Sequence, residues 1–244
     1  MRTQRRNAPL IKGSSTSTTT TVTYSARKAY FNDRADQWLD MWYKNPDTGQ
    51  YTKFDKEFIR LFSMIPIRKG DSVLDVGCGS GVLVPYVLKI ISDSGRLYEL
   101  DNAENMIRVN RKLHPDKRIS FFTADLLSMP LEPDTCDVVI CFSCFPHLDN
   151  KLDAMKVMAK VLKRGGWLAV AHFDSSDDIN RHHKKTKSVV MHDRLPDADD
   201  MKMLFRNSGL RIKDFIDEPG FYLVMGQRNC RYRRSMFERH AVIR

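Results

Sequence analysis

The stretch Val73-Leu74-Asp75-Val76-Gly77-Cys78-Gly79-Ser80-Gly81 reads as a buried strand that runs into a glycine turn. Lys69-Gly70-Asp71-Ser72 ahead of it is turn-forming, and Val82-Leu-Val-Pro-Tyr-Val-Leu-Lys-Ile-Ile91 behind it returns to apolar residues at a helical period. The glycines remove β-carbons where backbone must turn sharply and lie against a ligand, and the helix amino terminus that follows offers free N–H groups. The spacing is G-x-G-x-G with Val82 next, whereas nicotinamide and flavin sites want G-x-G-x-x-G. Asp75 adds to that difference, because an acid inside an apolar strand is costly to bury unless it is hydrogen-bonded.

Working outward, Gly95-Arg-Leu-Tyr-Glu-Leu-Asp101 forms a second strand ending in an acid, followed by a helix-like run from Asn102 to Lys112. Ile119-Ser-Phe-Phe-Thr123 makes a third strand leading to Ala124-Asp125-Leu126, and Asp137-Val-Val-Ile-Cys-Phe-Ser143 a fourth. A fifth, Trp167-Leu-Ala-Val-Ala-His172, follows the turn Lys163-Arg-Gly-Gly166. In this order and spacing the motifs resemble those of the class I S-adenosylmethionine-dependent methyltransferases, in the small-molecule, quinone-biosynthesis-like branch. The match is close from Val73 to Ala171 and holds in outline elsewhere.

That resemblance implies a Rossmann-like α/β fold: a doubly wound, seven-stranded sheet with one antiparallel strand in a three-layer α/β/α sandwich. It implies S-adenosyl-L-methionine as cofactor, held by Asp75, Gly77, Cys78, Gly79 and Gly81 of the loop, by Asp101 and Asn102 after the second strand, by Asp125 and Leu126 after the third, and by Cys141 and Phe142 at the end of the fourth. Asp101 would accept from the ribose hydroxyls; Glu99, two residues back, does not line up with the strand end. Asp125 would accept from the adenine amine, and the Leu126 N–H would donate to the ring. The Cys141-Phe-Ser-Cys144 pair has no second cysteine pair to make a zinc site, and Cys141 lies inside the strand, where packing is its plainer role.

A chain of 244 residues with 42% hydrophobic content suits one domain with appended tails. No run of apolar residues is long enough to span a bilayer. Its five cysteines, in no framework spacing, point to a reducing compartment. The net charge of +10 sits at the ends: residues 1–32 carry +6 and 228–244 carry +5, leaving the body at −1. The charge therefore gives no reason to place nucleic acid at the active site. Expected divisions are a disordered basic, Ser/Thr-rich tail over 1–24, the catalytic domain over 25–228 and a basic tail over 229–244. A cytoplasmic location is the plain reading; the acid-free Arg/Ser/Thr amino terminus also suits a mitochondrial transit peptide.

Within the domain, residues 25–68 read as cap helices whose aromatics Tyr30, Trp38, Trp42 and Tyr43 are candidates to close over the site. Toward the other end, the helix Asp197–Arg206 and the two strands around Pro219-Gly220 suit a closing hairpin. Residues 173–196 read as an insertion over the active site. Five of the seven histidines, His147, His172, His182, His183 and His192, fall between 147 and 192. Ligands of open α/β sheets bind outside the carboxyl ends of the strands, so His147 and His172 are the expected catalytic pair, as substrate contact or general base. Three imidazoles with Asp193 offer a metal reading, but no H-x-x-x-H or H-x-H spacing supports it, and no metal is expected.

Methyl transfer from a sulfonium is mostly alignment, helped by a base where the nucleophile is an O–H or acidic C–H. No Asn/Asp-Pro-Pro-Tyr/Phe run follows the fourth strand, and no Pro-Cys nucleophile is present, so base, glutamine and cytosine C5 methylation are disfavoured. A small-molecule acceptor is the expected partner. The alternatives are an NAD(P)-dependent oxidoreductase on the same fold and a non-catalytic partner protein that binds nucleic acid through its basic tails.

Overall fold

The computed structural model describes residues 16–229, so the expectations for residues 1–15 and 230–244 lie outside the described residues. The helices are α1 (Thr16–Arg34), α2 (Trp38–Trp42), α3 (Asp55–Met64), α4 (Val84–Ile91), α5 (Glu104–Leu113), α6 (Lys151–Val161), α7 (Ser176–Lys185) and α8 (Ala198–Asn207). The strands are β1 (Ser72–Val76), β2 (Arg96–Asp101), β3 (Ile119–Thr123), β4 (Cys136–Phe142), β5 (Leu162–His172), β6 (Leu210–Glu218) and β7 (Phe221–Arg228). They form one seven-stranded sheet in the order β3-β2-β1-β4-β5-β7-β6. β7 pairs antiparallel with both β5 and β6 and is the one reversed strand; the pairings among β1 to β5 are parallel. The expected architecture is the observed one.

The apolar runs that mark the strands are long because both faces of the sheet are covered. Side chains alternate between two cores, as the period of two requires. Val138, Ile140 and Phe142 of β4 join Phe58 and Leu61 of α3 and Val87 of α4 on one face. Val139 and Cys141 join Met155 and Met158 of α6 and Phe205 of α8 on the other. In β5, Leu168 and Val170 go to this second face and Ala169 and Ala171 to the first.

Three boundaries differ from the sequence reading. Helical backbone begins at Thr16, nine residues ahead of the expected start of order at Ser25. The tail's low apolar content argued against folding alone, but α1 does not stand alone: Lys28 and Asn32 hydrogen-bond Glu104 at the start of α5, and Asn32 accepts from the Asn105 N–H. Strand β5 reaches back to Leu162, and the expected turn Lys163-Arg-Gly-Gly166 lies within it as an unpaired bulge, with Gly165 at φ +78° and the register shifted between Cys136 and Val138. Residues 173–196 are not an open loop. Ser175 caps α7 by accepting from the Asp178 N–H, and the Asn180 side chain exchanges two hydrogen bonds with the Leu195 backbone. Ile179 and Leu195 join the second core, so this segment is part of the fold's packing.

Candidate active site

From β1 the chain moves outward to β2 and β3, then returns to β4 on the other side of β1. No connection fills the crevice where the direction of progression reverses, at the carboxyl ends of β1 and β4. A cavity of about 470 Å³ opens there, lined by the glycine loop, the ends of β1, β2 and β4, and residues of α1 and α2.

The glycine loop forms because Gly77 and Gly79 adopt left-handed backbone, φ +69° and +53°. At Gly77 a β-carbon would lie 2.1 Å from Cys144 Sγ, so the loop passes directly over the chain leaving β4. The Gly77 and Cys78 N–H groups donate to the Leu100 carbonyl at 2.8 and 3.1 Å, tying the loop to the end of β2. Asp101 is then fixed from both sides: the Gly79 N–H donates to Oδ2 and the Ala103 N–H to Oδ1, both at 2.9 Å. Burial pushes its carboxyl above the usual carboxylate range, opposed by the N–H groups of Ala103, Gly79 and Asn102. Each oxygen keeps a lone pair for a ligand. Asn102, Asp125 and Leu126 also line the cavity, with Asp125 Oδ1 accepting from the Leu127 N–H at 2.7 Å and so capping the short turn Leu126–Ser128.

Asp75 is 1% exposed and its Oδ2 has no hydrogen-bond partner among the described residues. Burial, then the charges of Glu99, Cys144 and Asp101, push its carboxyl well above the usual range. A buried acid oxygen without a partner, on a residue lining a cavity, is a place for a hydrogen-bond donor of a ligand. Glu99 faces elsewhere: it is fully buried, and Asn110 of α5 donates to it at 2.6 Å. The reading that set Glu99 aside in favour of Asp101 agrees with this placement.

His147 lines the opposite part of the cavity. It ends a short turn, Phe145–His147, that Lys151 pins by donating to the Pro146 and Leu148 carbonyls at 3.1 and 2.8 Å. Its Nδ1 lies 2.7 Å from Asp193 Oδ2. Asp193 Oδ1 accepts from Arg27 at 2.9 Å, and Arg27 also donates to Asp149 at 3.1 Å. Phe31, Trp38 and Tyr43 add apolar walls.

Three expected residues do not line the cavity. His172 ends β5 as expected, but the alternation of the strand turns it to the second face, beside the Tyr222 ring, where it is 6% exposed. Burial, and then the neighbouring His147 and His183, lower its pKa to about 3, so it stays neutral. Cys141 likewise faces the second core, and Cys144 lines the cavity in its stead. Gly81 packs against α5: a β-carbon there would lie 2.2 Å from Asn110 Oδ1. Of the four aromatic candidates, Trp38 and Tyr43 line the cavity, whereas Trp42 packs against His182 and Tyr30 lies under Arg34. Arg27 and Asp193 were not singled out as a pair. They are 166 residues apart, and only the fold brings them together. No group of three or more His, Cys, Asp or Glu among the described residues is arranged to hold a metal ion. No helix among them is long and apolar enough to cross a membrane.

A family model described as a methyltransferase domain matches residues 74–170, from β1 to β5. Over those residues, less than half of its length, the chain is similar to a methyltransferase domain. The 27-O-demethylrifamycin SV methyltransferase of Amycolatopsis mediterranei is 30% identical over 118 residues, covering 47% of this chain and 43% of that protein. The ubiquinone biosynthesis O-methyltransferase of Hydrogenovibrio crunogenus is 25% identical over 209 residues, covering 75% and 79%. The match to the first of these thus spans less than half of the relative's length. Among solved structures, a SAM-dependent methyltransferase from Aquifex aeolicus superposes with a TM-score of 0.64 at 17% identity, over 81% of this chain and 98% of that one.

The cavity fits S-adenosylmethionine, the cofactor that the sequence resemblance implies. Asp101 retains acceptor capacity for a diol, and Gly77, Cys78 and Gly79 line the cavity beside it. The oxidoreductase and non-catalytic readings are not favoured by these relatives.

Proposed function

We propose that this methyltransferase transfers the methyl group of S-adenosylmethionine to a small-molecule acceptor admitted beside His147. The observation that carries the reading is Asp101, held by the Gly79 and Ala103 N–H groups with a lone pair free on each oxygen. In this reading Asp101 and Asn102 hold the ribose, Asp125 and the Leu126 backbone hold the adenine, and Asp75 faces the cationic end. When bound, the cofactor supplies an electrophilic methyl carbon, and displacement returns the C–S electron pair to sulfur. The chain's own residues align the acceptor against the aromatic walls, keep water out, and receive a proton at His147. The relatives' names, one acting in ubiquinone biosynthesis and one on a rifamycin, support a small organic acceptor. Calorimetry with S-adenosylhomocysteine and with NADH, followed by product identification from cell extract with methyl-labelled donor, tests it. Binding of NADH with none of S-adenosylhomocysteine would overturn the proposal.

A further inference from the structure

His147 carries more machinery than a packing residue needs. Asp193 Oδ2 sits 2.7 Å from its Nδ1, and Arg27 binds the other carboxylate oxygen at 2.9 Å. Arg27 and Asp193 are each 6% exposed. The three residues come from three separate parts of the chain: α1, the turn after β4, and the segment after α7. Burial alone would raise the Asp193 carboxyl; the hydrogen bond from His147 and the Arg27 charge bring it below the usual range, so it is an anion. An anion accepts only, so Nδ1 must carry the proton. In the neutral ring Nε2 is then the lone-pair acceptor, and that ring lines the cavity. Phe31 packs edge-on against the His147 ring, Trp38 and Tyr43 are further aromatic walls, and among the described residues the one cation lining the cavity, Arg27, is engaged by Asp193 and Asp149.

We infer that Asp193 and Arg27 are positioning residues that hold His147 as a neutral, Nδ1-protonated base, and that the acceptor is an uncharged, flat molecule with a phenolic or enolic hydroxyl. This rests on the methyltransferase reading above. A hydroxyl finds Nε2 as a hydrogen-bond donor in the ground state, which a C–H does not. In the transfer the hydroxyl proton passes to Nε2, the oxygen lone pair forms the bond to the methyl carbon, and the C–S electron pair stays on sulfur. The imidazolium so formed is neutralised by Asp193, and the positive charge lost at sulfur reappears on the ring. The charged and titratable neighbours are consistent with this. The His183 ring lies at 5.1 Å, tilted to that of His147, and bonds the Asp193 carbonyl, His172 is neutral, Lys151 is spent on the Pro146 and Leu148 carbonyls, and Asp149 faces Arg27.

The test is ¹⁵N NMR of His147 in the protein saturated with S-adenosylhomocysteine, together with Asp193→Asn. The expected wild-type signal is the Nδ1–H tautomer. Asp193→Asn, whose amide can donate to Nδ1, moves the population toward Nε2–H, with cofactor affinity within about twofold. In transfer assays from labelled donor, Asp193→Asn and His147→Ala each lower methylation of phenol by roughly a hundredfold or more. Transfer to thiophenol, already ionised at pH 8, falls by less than about tenfold. A wild-type Nε2–H tautomer overturns the inference even if the Asp193 variant fails to fold, and so does a tautomer indifferent to that substitution. A probe panel in which no phenol is methylated overturns the acceptor class. Failure of S-adenosylhomocysteine to bind would instead overturn the methyltransferase reading.

Discussion

Gly77→Ala is the perturbation most tightly constrained by the geometry of the loop. At φ +69° an alanine bears the left-handed penalty, about 1–2 kcal/mol. Its β-carbon would also meet Cys144 Sγ at 2.1 Å and Cys144 Cβ at 2.6 Å. A flexible tip could swing away from the first contact, but the second involves a β-carbon rigidly attached to backbone, so the chain after β4 must shift. Overpacking of this kind costs about 1–3 kcal/mol. Together these give about 2–5 kcal/mol, which for a domain of this size lowers Tm by roughly 4–20 °C. Differential scanning calorimetry of Gly77→Ala, Cys144→Gly and the double variant separates the contributions. The double variant should recover the overpacking share and retain the backbone share, so the two substitutions couple rather than add. Gly77→Ala within a degree of the parent protein would refute the reasoning, as would strict additivity of the pair.

Asp101→Ala should weaken S-adenosylhomocysteine by about 1.5–3 kcal/mol, roughly ten- to a hundredfold in calorimetry, because two charge-assisted bonds are lost; unchanged affinity would remove Asp101 from the site. His172 has its pKa lowered from 6.5 to about 3 by burial. Its contribution is therefore present above pH 6.5 and drains away as pH falls from there toward 3. His172→Leu should lose less Tm between pH 7 and pH 5 than the parent and leave cofactor affinity unchanged, and an equally steep loss on acidification would show that other groups set the acid sensitivity.

The sheet and the cofactor half of the site were legible because their signals are local. Apolar runs mark β1 to β4, with Gly70, Gly77 and Gly95 at the turns that bound the first two, and an acid at a strand end is readable from the strand itself, as at Asp101 and Asp125. The errors arise where facing or partnership decides. His172 and Cys141 stand at the expected strand ends, but the sequence does not say which face begins the alternation. Gly81 serves helix packing because Asn110 occupies the space a side chain would need. The Arg27–Asp193–His147 chain had no local signal at all; the unusual density of histidines between 147 and 192 pointed to the region but not to the pairing. The helical start at Thr16 was hidden for the same reason, since its docking partners on α5 lie some seventy residues onward.

The roof of the cavity is anchored differently from its floor. Asp75 and Asp101 stand in strands of the parallel part of the sheet, and the glycine loop is tied to it through the Leu100 carbonyl. Arg27 and Phe31 belong to α1, which α5 holds through pairs such as Lys28–Glu104, with water around them. Pairs of that kind contribute about 0–1 kcal/mol each and weaken as salt rises. Beside them stands the buried Arg27–Asp193 pair, which the helix must break to detach while the sheet stays whole. A ligand bridging roof and floor adds its own binding energy to that hold. How long product resides is then governed by how often α1 lets go, so ionic strength acts on the release step while leaving the floor of the site as it was.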